Sequence, residues 1–278
     1  MKISIFLIFV GKFSDICAWN DKYLLYDKKN NELLVKDQDE EDPETLLDIE
    51  GSRFVGRTIR VDPEDPDWVF LNKEGKSILV YNTDTEEEYE IPKTHGSVIV
   101  QHEVLPGNKL AYLKENGCLV IRKYSHDKNA SKMVTETQLE ELDDRDEKSV
   151  TFCACPNGRY FVVHTMDEEK TFSRLIVFEL EKDGLVELDV LDLMDSEIKY
   201  MKALSFLKYY GNSFVIIGVK WSENSKSCIL GFVYKEDELD QIDLGAQKTK
   251  LSNVFRLEKV GQQLFGIDKG VKLFRIDP

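Results

Sequence analysis

Several features that mark familiar functional classes are scarce in this sequence of 278 residues. Its five cysteines are odd in number and irregularly spaced, which argues against a complete disulfide framework. Seven prolines and sixteen glycines leave no long flexible linker and no low-complexity tract. The apolar run Ile3–Val10, near the amino terminus, is far too short to span a bilayer. The composition therefore favours a soluble globular protein with a sizeable core.

Motifs for catalysis and phosphate binding are also missing. None of the four histidines (His95, His102, His126 and His164) belongs to an i, i+4 pair that could ligate a metal. The stretch Gly51–Arg57 contains glycines but lacks the Lys-Ser/Thr ending of a phosphate-binding loop. We therefore predict no catalytic residues and no cofactor.

Metal ligands are equally sparse. Cys153 and Cys155 point to the same side of a strand-like run, but no second cysteine or histidine pair lies nearby. We interpret these two cysteines as small apolar core residues. The acidic stretches 37–42 and 143–147 lack the ordered spacing and the glycine of a calcium loop. We interpret both as solvated loops and predict no metal site.

Positive charge is in deficit. The formal net charge is -15, and residues 1–147 contribute most of it, with 19 basic against 32 acidic side chains. From Lys248 to the end the balance reverses, with seven basic and three acidic residues. An overall negative field disfavours nonspecific binding to nucleic acid or anionic lipid. The uneven charge has two interpretations, acids in solvated loops or a bipolar surface that selects partners by charge.

What the sequence does contain is a recurring pattern of strand, polar turn and apolar strand. Its clearest copy joins Ser149–Cys155 to Arg159–Val163 through Pro156-Asn157-Gly158. Comparable turns occur at Pro106-Gly107-Asn108 and Tyr210-Gly211-Asn212, and glycine and asparagine suit tight hairpins. Strand-like runs fall into six groups, with equivalent strands about 40–55 residues apart, which is the period of a four-stranded propeller blade.

The two ends of the chain complement each other in this pattern. The sixth group, from residue 253 onward, has three strand-like runs and no fourth, whereas an additional apolar run precedes the first group. We predict that Lys2–Phe9 pairs as the missing outer strand beside Lys272–Ile276, which would close a ring and remove open sheet edges. The alternative interpretation of the amino terminus is a short secretory signal, although the small-residue cleavage pattern fails at Ile16.

The segment Pro156–Val163 resembles the turn and second strand of the WD-repeat-like β-propellers, and Leu105–Ala111 resembles a weaker copy. The resemblance extends over nearly the whole chain as a pattern. It implies an all-β fold with one domain over residues 1–278, a six-bladed propeller with seven blades as the alternative. No unit ends in Trp-Asp and no Gly-His pair precedes a first strand, so the family's hydrogen-bond network is not transferred to any residue here.

The predicted propeller fold leads to a predicted function. We expect a non-catalytic protein–protein interaction scaffold, a subunit of a larger hetero-complex that presents propeller-face loops to protein partners. The alternative is a propeller-type hydrolase or lyase with a site in the central channel. We expect no direct contact with nucleic acid and no membrane insertion, and we place the protein in the cytoplasm, with nucleus and secretion as open alternatives.

The predicted partner-binding residues belong to two kinds. Loop cations and a loop histidine would define one face of the propeller. Trp68, after the acidic loop 62–67, and Tyr209, in a turn beside Tyr210, would be exposed aromatic contacts, because such residues are favoured at interaction hot spots. The complete predicted set is Arg53, Arg57, Trp68, His95, Lys148, Tyr209 and Lys248.

Overall fold

A computed structural model describes most of the chain, and every regular element within the described part is a β-strand. No helix in that part is long and apolar enough to cross a membrane. The described residues are 4–10, 15–20, 22–27, 29–37, 42–48, 54–94, 96–138, 148–166, 173–182, 184–193, 201–220, 228–242, 254–260, 263–268 and 272–277.

The chain divides into two compact units. Unit 2 is continuous and covers Lys12–Thr137, whereas unit 1 combines Met1–Gly11 with Gln138–Pro278. The prediction of one domain over residues 1–278 stays a prediction, and the two units are described separately below.

Unit 2 contains twelve of the strands. Their bounds are β2 Asp15–Trp19, β3 Lys22–Asp27, β4 Glu32–Lys36, β5 Glu44–Asp48, β6 Phe54–Val61, β7 Trp68–Lys73, β8 Ser77–Asn82, β9 Glu88–Pro92, β10 Ile99–Leu105, β11 Lys109–Lys114, β12 Cys118–Ser125 and β13 Ala130–Gln138. Strands β2 to β5 form one antiparallel sheet in chain order.

Strands β6 to β13 form a single eight-stranded sheet in the order β13-β12-β11-β10-β6-β7-β8-β9. Two four-stranded meanders meet in it, because the first strands β6 and β10 pair in parallel at Arg57 and Gln101. Two of the six strand groups that the sequence predicted as separate blades are therefore joined in this one sheet. The described residues form five sheets in all, so the prediction of six separate blades, or seven, is wrong.

Unit 1 contains the remaining strands in three four-stranded sheets. Their bounds are β1 Ser4–Val10, β14 Lys148–Ala154, β15 Tyr160–Met166, β16 Ser173–Glu181, β17 Gly184–Asp192, β18 Met201–Tyr210, β19 Ser213–Lys220, β20 Cys228–Lys235, β21 Glu238–Ile242, β22 Val254–Val260, β23 Gln263–Asp268 and β24 Lys272–Asp277. The sheets are β14 to β17, β18 to β21, and β22-β23-β24-β1.

The amino-terminal strand completes the last of these sheets. Strand β1 pairs antiparallel with β24, with Ile5 opposite Ile276 and Leu7 opposite Phe274. This pairing of the chain ends was predicted from the sequence and is confirmed. Closure of a complete ring stays a prediction.

Local sequence explains why the chain turns where it does. Gly158 adopts a φ of 68° in the hairpin between β14 and β15, and Asn108 adopts 55° in the hairpin between β10 and β11. This left-handed region strains most side chains but is open to glycine and is tolerated by asparagine. The predicted hairpins at Pro156–Gly158 and Pro106–Asn108 are thus confirmed.

The cores are built from the alternating apolar side of each strand. In unit 2, Phe70, Tyr112 and Val120 are fully buried in one cluster, and Leu24, Ile59 and Leu71 in another. In unit 1, Cys153 and Cys155 lie in a cluster with Tyr160, Phe214 and Phe232. The interpretation of these cysteines as core residues is confirmed. Each fully buried large side chain contributes about 1.5–3 kcal/mol, so these clusters dominate the stability of each unit.

Candidate protein-binding surface

Two hairpin turns of unit 1 meet at one end of their strands. The side-chain amide of Asn157, after β14, donates to the hydroxyl of Tyr209 near the end of β18. Arg159 donates from one terminal nitrogen to Oδ1 of Asn212, 3.3 Å away. We call the surface formed by residues 156–159 and 208–212 the turn surface.

Side chains of the adjoining strands contact the turn surface and fix its two turns. The guanidinium group of Arg159 pairs with Glu179 on β16 and lies 5.1 Å from the centre of the Tyr160 ring. The Tyr160 ring in turn contacts Phe214, whose ring stacks on Tyr234 at 4.9 Å. A hydrogen bond from the Arg159 amide to Asn157 Oδ1, at 3.0 Å, fixes the first turn internally. These contacts hold the two turns in one arrangement before any partner binds.

The turn surface carries one largely exposed aromatic side chain, Tyr210. Tyr210 is 67% exposed, the highest value among the exposed large apolar side chains of the described residues. Lys208 beside it is also exposed. A Cβ placed on Gly211 would meet nothing within 4 Å, so the space above the second turn is open. Tyrosine offers a large contact area at low entropic cost, which suits this position to protein binding.

Unit 2 has a different cluster, in which a histidine connects an acidic loop to its neighbours. Nε2 of His126 lies 2.9 Å from Oδ2 of Asp62, and the Tyr124 hydroxyl donates to the same oxygen at 2.6 Å. Nδ1 of His126 lies 3.1 Å from the Tyr89 hydroxyl. The imidazole stacks on Trp68 with ring centres 4.1 Å apart and an angle of 9°. We call Asp62, Trp68, Tyr89, Tyr124 and His126 the imidazole cluster.

The electrostatics of the imidazole cluster favour an ionised acid and protonated phenols. Burial opposes ionisation of Asp62, yet hydrogen bonds from His126, Tyr124 and the Glu64 amide hold its pKa below the ordinary value. Burial, followed by the hydrogen bond to Asp62, raises the pKa of Tyr124 well above that of a free phenol. Burial and the charge of Asp62 likewise raise the pKa of Tyr89. Both phenols therefore keep their protons at neutral pH, and Tyr124 donates its proton to Asp62 in a hydrogen bond.

The two predicted aromatic contacts differ in their exposure. Tyr209 is half-buried and belongs to the turn surface through its bond to Asn157. Trp68 is only 6% exposed, so the expectation that it is exposed is wrong. The physical reason is the return of the acidic loop: the Trp68 amide donates to Asp65 and its carbonyl accepts from Asp62. As a result, the indole ring of Trp68 stacks on the imidazole ring of His126.

Two of the predicted cations, Lys148 and Arg57, lie on described strands. Lys148 begins β14 and pairs with Met166, whereas the turn surface lies at the opposite end of that strand. Arg57 lies within β6, where its backbone pairs with Gln101. Arg53, His95 and Lys248 lie outside the described residues. The role of all seven predicted residues in partner binding stays a prediction.

Sequence reasoning missed the imidazole cluster. Its acid and its histidine are 64 positions apart, and no local pattern joins them. One signal was available, because an aspartate before proline at the end of a strand commonly anchors a turn through its side chain. The Glu64 and Asp65 amides donate to Oδ1 of Asp62 in this way, at 2.9 and 3.4 Å.

Within the described part of the chain, no group of three or more histidine, cysteine, aspartate or glutamate residues could hold a metal ion. No protein-family model matches the sequence, and no curated protein matches it.

Solved structures do share the fold. The N-terminal domain of Nup159 superimposes with a TM-score of 0.56 at 10% identity, over 95% of this chain and 75% of that one. A chain in a structure of S. cerevisiae Dbp5 bound to Nup159, Gle1, IP6 and ADP gives a TM-score of 0.52 at 10% identity, with the same coverage. YCF48 bound to a D1 peptide gives 0.55 at 14% identity, over 100% of this chain and 97% of that one. The fold is therefore that of a β-propeller, as the resemblance to WD-repeat-like proteins implied.

Proposed function

We propose that this chain is a non-catalytic scaffold that binds a protein partner through the turn surface of unit 1. The observation that carries the proposal is Tyr210, a largely exposed aromatic side chain on two turns that are already fixed by Asn157 and Arg159. Binding to a preformed surface avoids much of the entropy cost of ordering loops. Fold relatives support the proposal, since one is bound to a peptide and another occurs in a complex of several proteins.

The proposal includes the setting in which the scaffold works. A net charge of -15 disfavours nucleic acid and anionic membranes as direct ligands, which leaves proteins as the partners. We propose a cytoplasmic subunit of a hetero-complex that requires no cofactor.

The test places a photo-crosslinking amino acid at residue 210 in the full chain, expressed in cells that produce the protein naturally. The matched control places the same crosslinker at Val186, which is 42% exposed on β17 of the same unit. We expect a discrete crosslinked protein at position 210 and none at position 186. Equal crosslinking at both positions would contradict a defined surface.

The crosslinked partner, once purified, permits a quantitative test. Tyr210→Ala should weaken the Kd by about tenfold or more, the loss typical of an aromatic hot spot, while Val186→Ala leaves it unchanged. Because Tyr210 is exposed, its replacement should leave the melting temperature nearly unaltered. An unchanged Kd for the Tyr210→Ala variant would contradict the proposal.

A further inference from the structure

The eight-stranded sheet of unit 2 ends in a strand whose middle is apolar and exposed. Strand β13, Ala130–Gln138, is the last in the order, and no described strand pairs with its outer side. Met133 is 47% exposed and Val134 is 50% exposed, and successive residues point to opposite faces of a strand, so both faces of β13 are open to solvent here. An open edge of this kind is a template for pairing with another strand. We propose that β13 pairs antiparallel with β13 of a second copy of this chain, around a twofold axis at Val134.

The sequence of β13 is complementary to itself. In an antiparallel pair centred on Val134, Lys132 of each copy lies opposite Glu136 of the other, and the twofold axis repeats this contact. Met133 lies opposite Thr135, and Val134 lies opposite its own copy. Opposite charges that face each other across two strands stabilise the pair. Moving the axis by one residue in either direction removes both charge contacts and leaves residues at the strand ends unpaired, so the sequence favours this register.

The acid of β13 is already fixed in position within one chain. The Lys114 ammonium group donates to Oε1 of Glu136 at 2.5 Å, and the Thr94 hydroxyl donates to the same oxygen at 3.1 Å. Burial opposes ionisation of Glu136, yet the hydrogen bonds from Lys114 and Thr94 hold its pKa below the ordinary value. The Glu136 side chain is 29% exposed, whereas that of Lys114 is only 2% exposed. A second cation can therefore reach this ionised carboxylate only from the solvent side.

The fourth strands of the other two meanders in unit 2 lack this complementarity. Strand β5 carries Glu44 and Asp48 and no cation, so pairing with its own copy would place these two acids opposite each other. In β9 the same operation would place Glu90 against its own copy, and Pro92 removes a backbone donor. Like charges directly opposite each other destabilise a strand pair. Of these three strands, β13 is therefore the one whose charges favour pairing with itself.

The size of the contact determines how tightly the two copies bind. One pair of nine-residue strands is a small interface, and interfaces at the low end of the size range are typical of transient complexes. We therefore expect a reversible dimer, with the chain monomeric at about 1 μM and dimeric towards about 1 mM. The dimer leaves the turn surface unused, because that surface belongs to unit 1 and β13 to unit 2.

Disulfide trapping on the full chain tests the register. Directly opposed residues of an antiparallel pair have Cα atoms about 4.5–5.5 Å apart, within the span of a disulfide, whereas diagonal neighbours are about 7–8 Å apart. Under mild oxidation, Val134→Cys should form a disulfide with its own copy at least about tenfold faster than Met133→Cys, which is similarly exposed but lies diagonal to its copy. A mixture of Met133→Cys and Thr135→Cys should form the mixed disulfide. The wild-type chain gives the background from the native cysteines, and mass spectrometry identifies each disulfide.

Charge reversal tests the ion pairs. Lys132→Glu places like charges opposite each other twice in the dimer, so the Kd of dimerisation should rise about tenfold or more in sedimentation equilibrium. The matched control is Lys29→Glu, which makes the same change in net charge at an exposed position between β3 and β4. The control should leave the Kd nearly unchanged.

Three results would overturn the proposal. A wild-type chain that stays monomeric up to about 1 mM would show that β13 does not bind its own copy, and would leave its edge to a strand of another protein. Equal rates of disulfide formation at positions 133 and 134 would refute the register. An equal rise in Kd for Lys132→Glu and Lys29→Glu would show that general repulsion, and not the contact between Lys132 and Glu136, controls dimerisation. Both lysines are exposed, so neither replacement should impair folding.

Discussion

At the scale of single residues, the buried side chain of His102 is neutral in the native state. It is fully buried on β10, Nε2 lies 3.2 Å from the Phe70 carbonyl, and Nδ1 has no hydrogen-bond partner among the described residues. Burial, with the nearby charge of Arg60, lowers its pKa from 6.5 to about 3. The native state therefore holds a neutral imidazole whose only donor faces a carbonyl oxygen.

The depressed pKa of His102 predicts a pH dependence of stability. The unfolded chain takes up this proton below about pH 6.5 while the native state does not, so stability is complete above that pH and declines towards about pH 3. Between about pH 7.5 and 5.5 this one group should cost about 1 kcal/mol. Urea unfolding of wild type and His102→Gln measures it, since the variant should lose less stability on acidification. Parallel losses in both proteins would show that His102 does not control the decline.

At the scale of elements, the junction of β6 and β10 is the least expected part of the fold. Beside the parallel backbone pair, Arg60 on β6 forms a two-pronged ion pair with Glu103 on β10, with a terminal nitrogen 2.6 Å from Oε1. Gln101 donates to the same carboxylate oxygen at 2.9 Å. The Arg60 side chain is 6% exposed and that of Glu103 is 17% exposed, so this ion pair is largely shielded from solvent.

Removal of the acid should therefore weaken the junction strongly. Glu103→Gln removes a negative charge that faces the buried guanidinium in a two-pronged pair, and we expect a loss of about 2–4 kcal/mol in the free energy of unfolding by urea titration. The matched control is Glu74→Gln, which breaks the pair with Lys76 at side-chain exposures of 40% and 72%. A surface pair of this kind contributes less than about 1 kcal/mol. If the two variants were equally stable, the ion pair would not support the junction.

The same junction shows where sequence reasoning ends. Hairpins were predictable because Gly158 and Asn108 carry a local signature of the backbone they adopt. The pairing of Arg57 with Gln101 joins residues 44 positions apart in two strands whose own hairpins are complete, and neither strand shows this in its sequence. The blade count was wrong for that reason, although the strands themselves were predicted.

The candidate site was predictable to a similar degree. The recurring turns placed Tyr209 and Tyr210 at a hairpin, and the structure adds their meeting with Asn157 and Arg159 of another hairpin. The burial of Trp68 could not be foreseen, because it depends on the stacking partner His126, which lies far along the chain. Local sequence thus predicts turns well and contacts between turns poorly.

At the scale of the whole molecule, the two termini share one sheet. Strand β1 supplies the fourth strand beside β24, and its sequence Ser-Ile-Phe-Leu-Ile-Phe-Val is almost wholly apolar. Without β1, the backbone groups of β24 on that side would lose their partners and present an open edge.

Deletion of residues 1–10 should therefore destabilise unit 1 and promote aggregation, as measured by size-exclusion chromatography with light scattering. A synthetic peptide of residues 1–11, added during refolding, should restore the monomer if backbone pairing with β24 is the cause. The control peptide carries Leu7→Pro, which removes one amide donor and disrupts the strand. Monomeric, stable protein after the deletion would show that the sheet does not need β1.

The pairing of first and last strands also dictates an order of events during synthesis. Residues 12–137 emerge from the ribosome as one continuous stretch and contain every strand of their own unit, so that part can mature while translation proceeds. Strand β1 is made before unit 2, whereas β24 is made after it. The apolar segment β1 must therefore remain without its pairing partner until β24 has been synthesised.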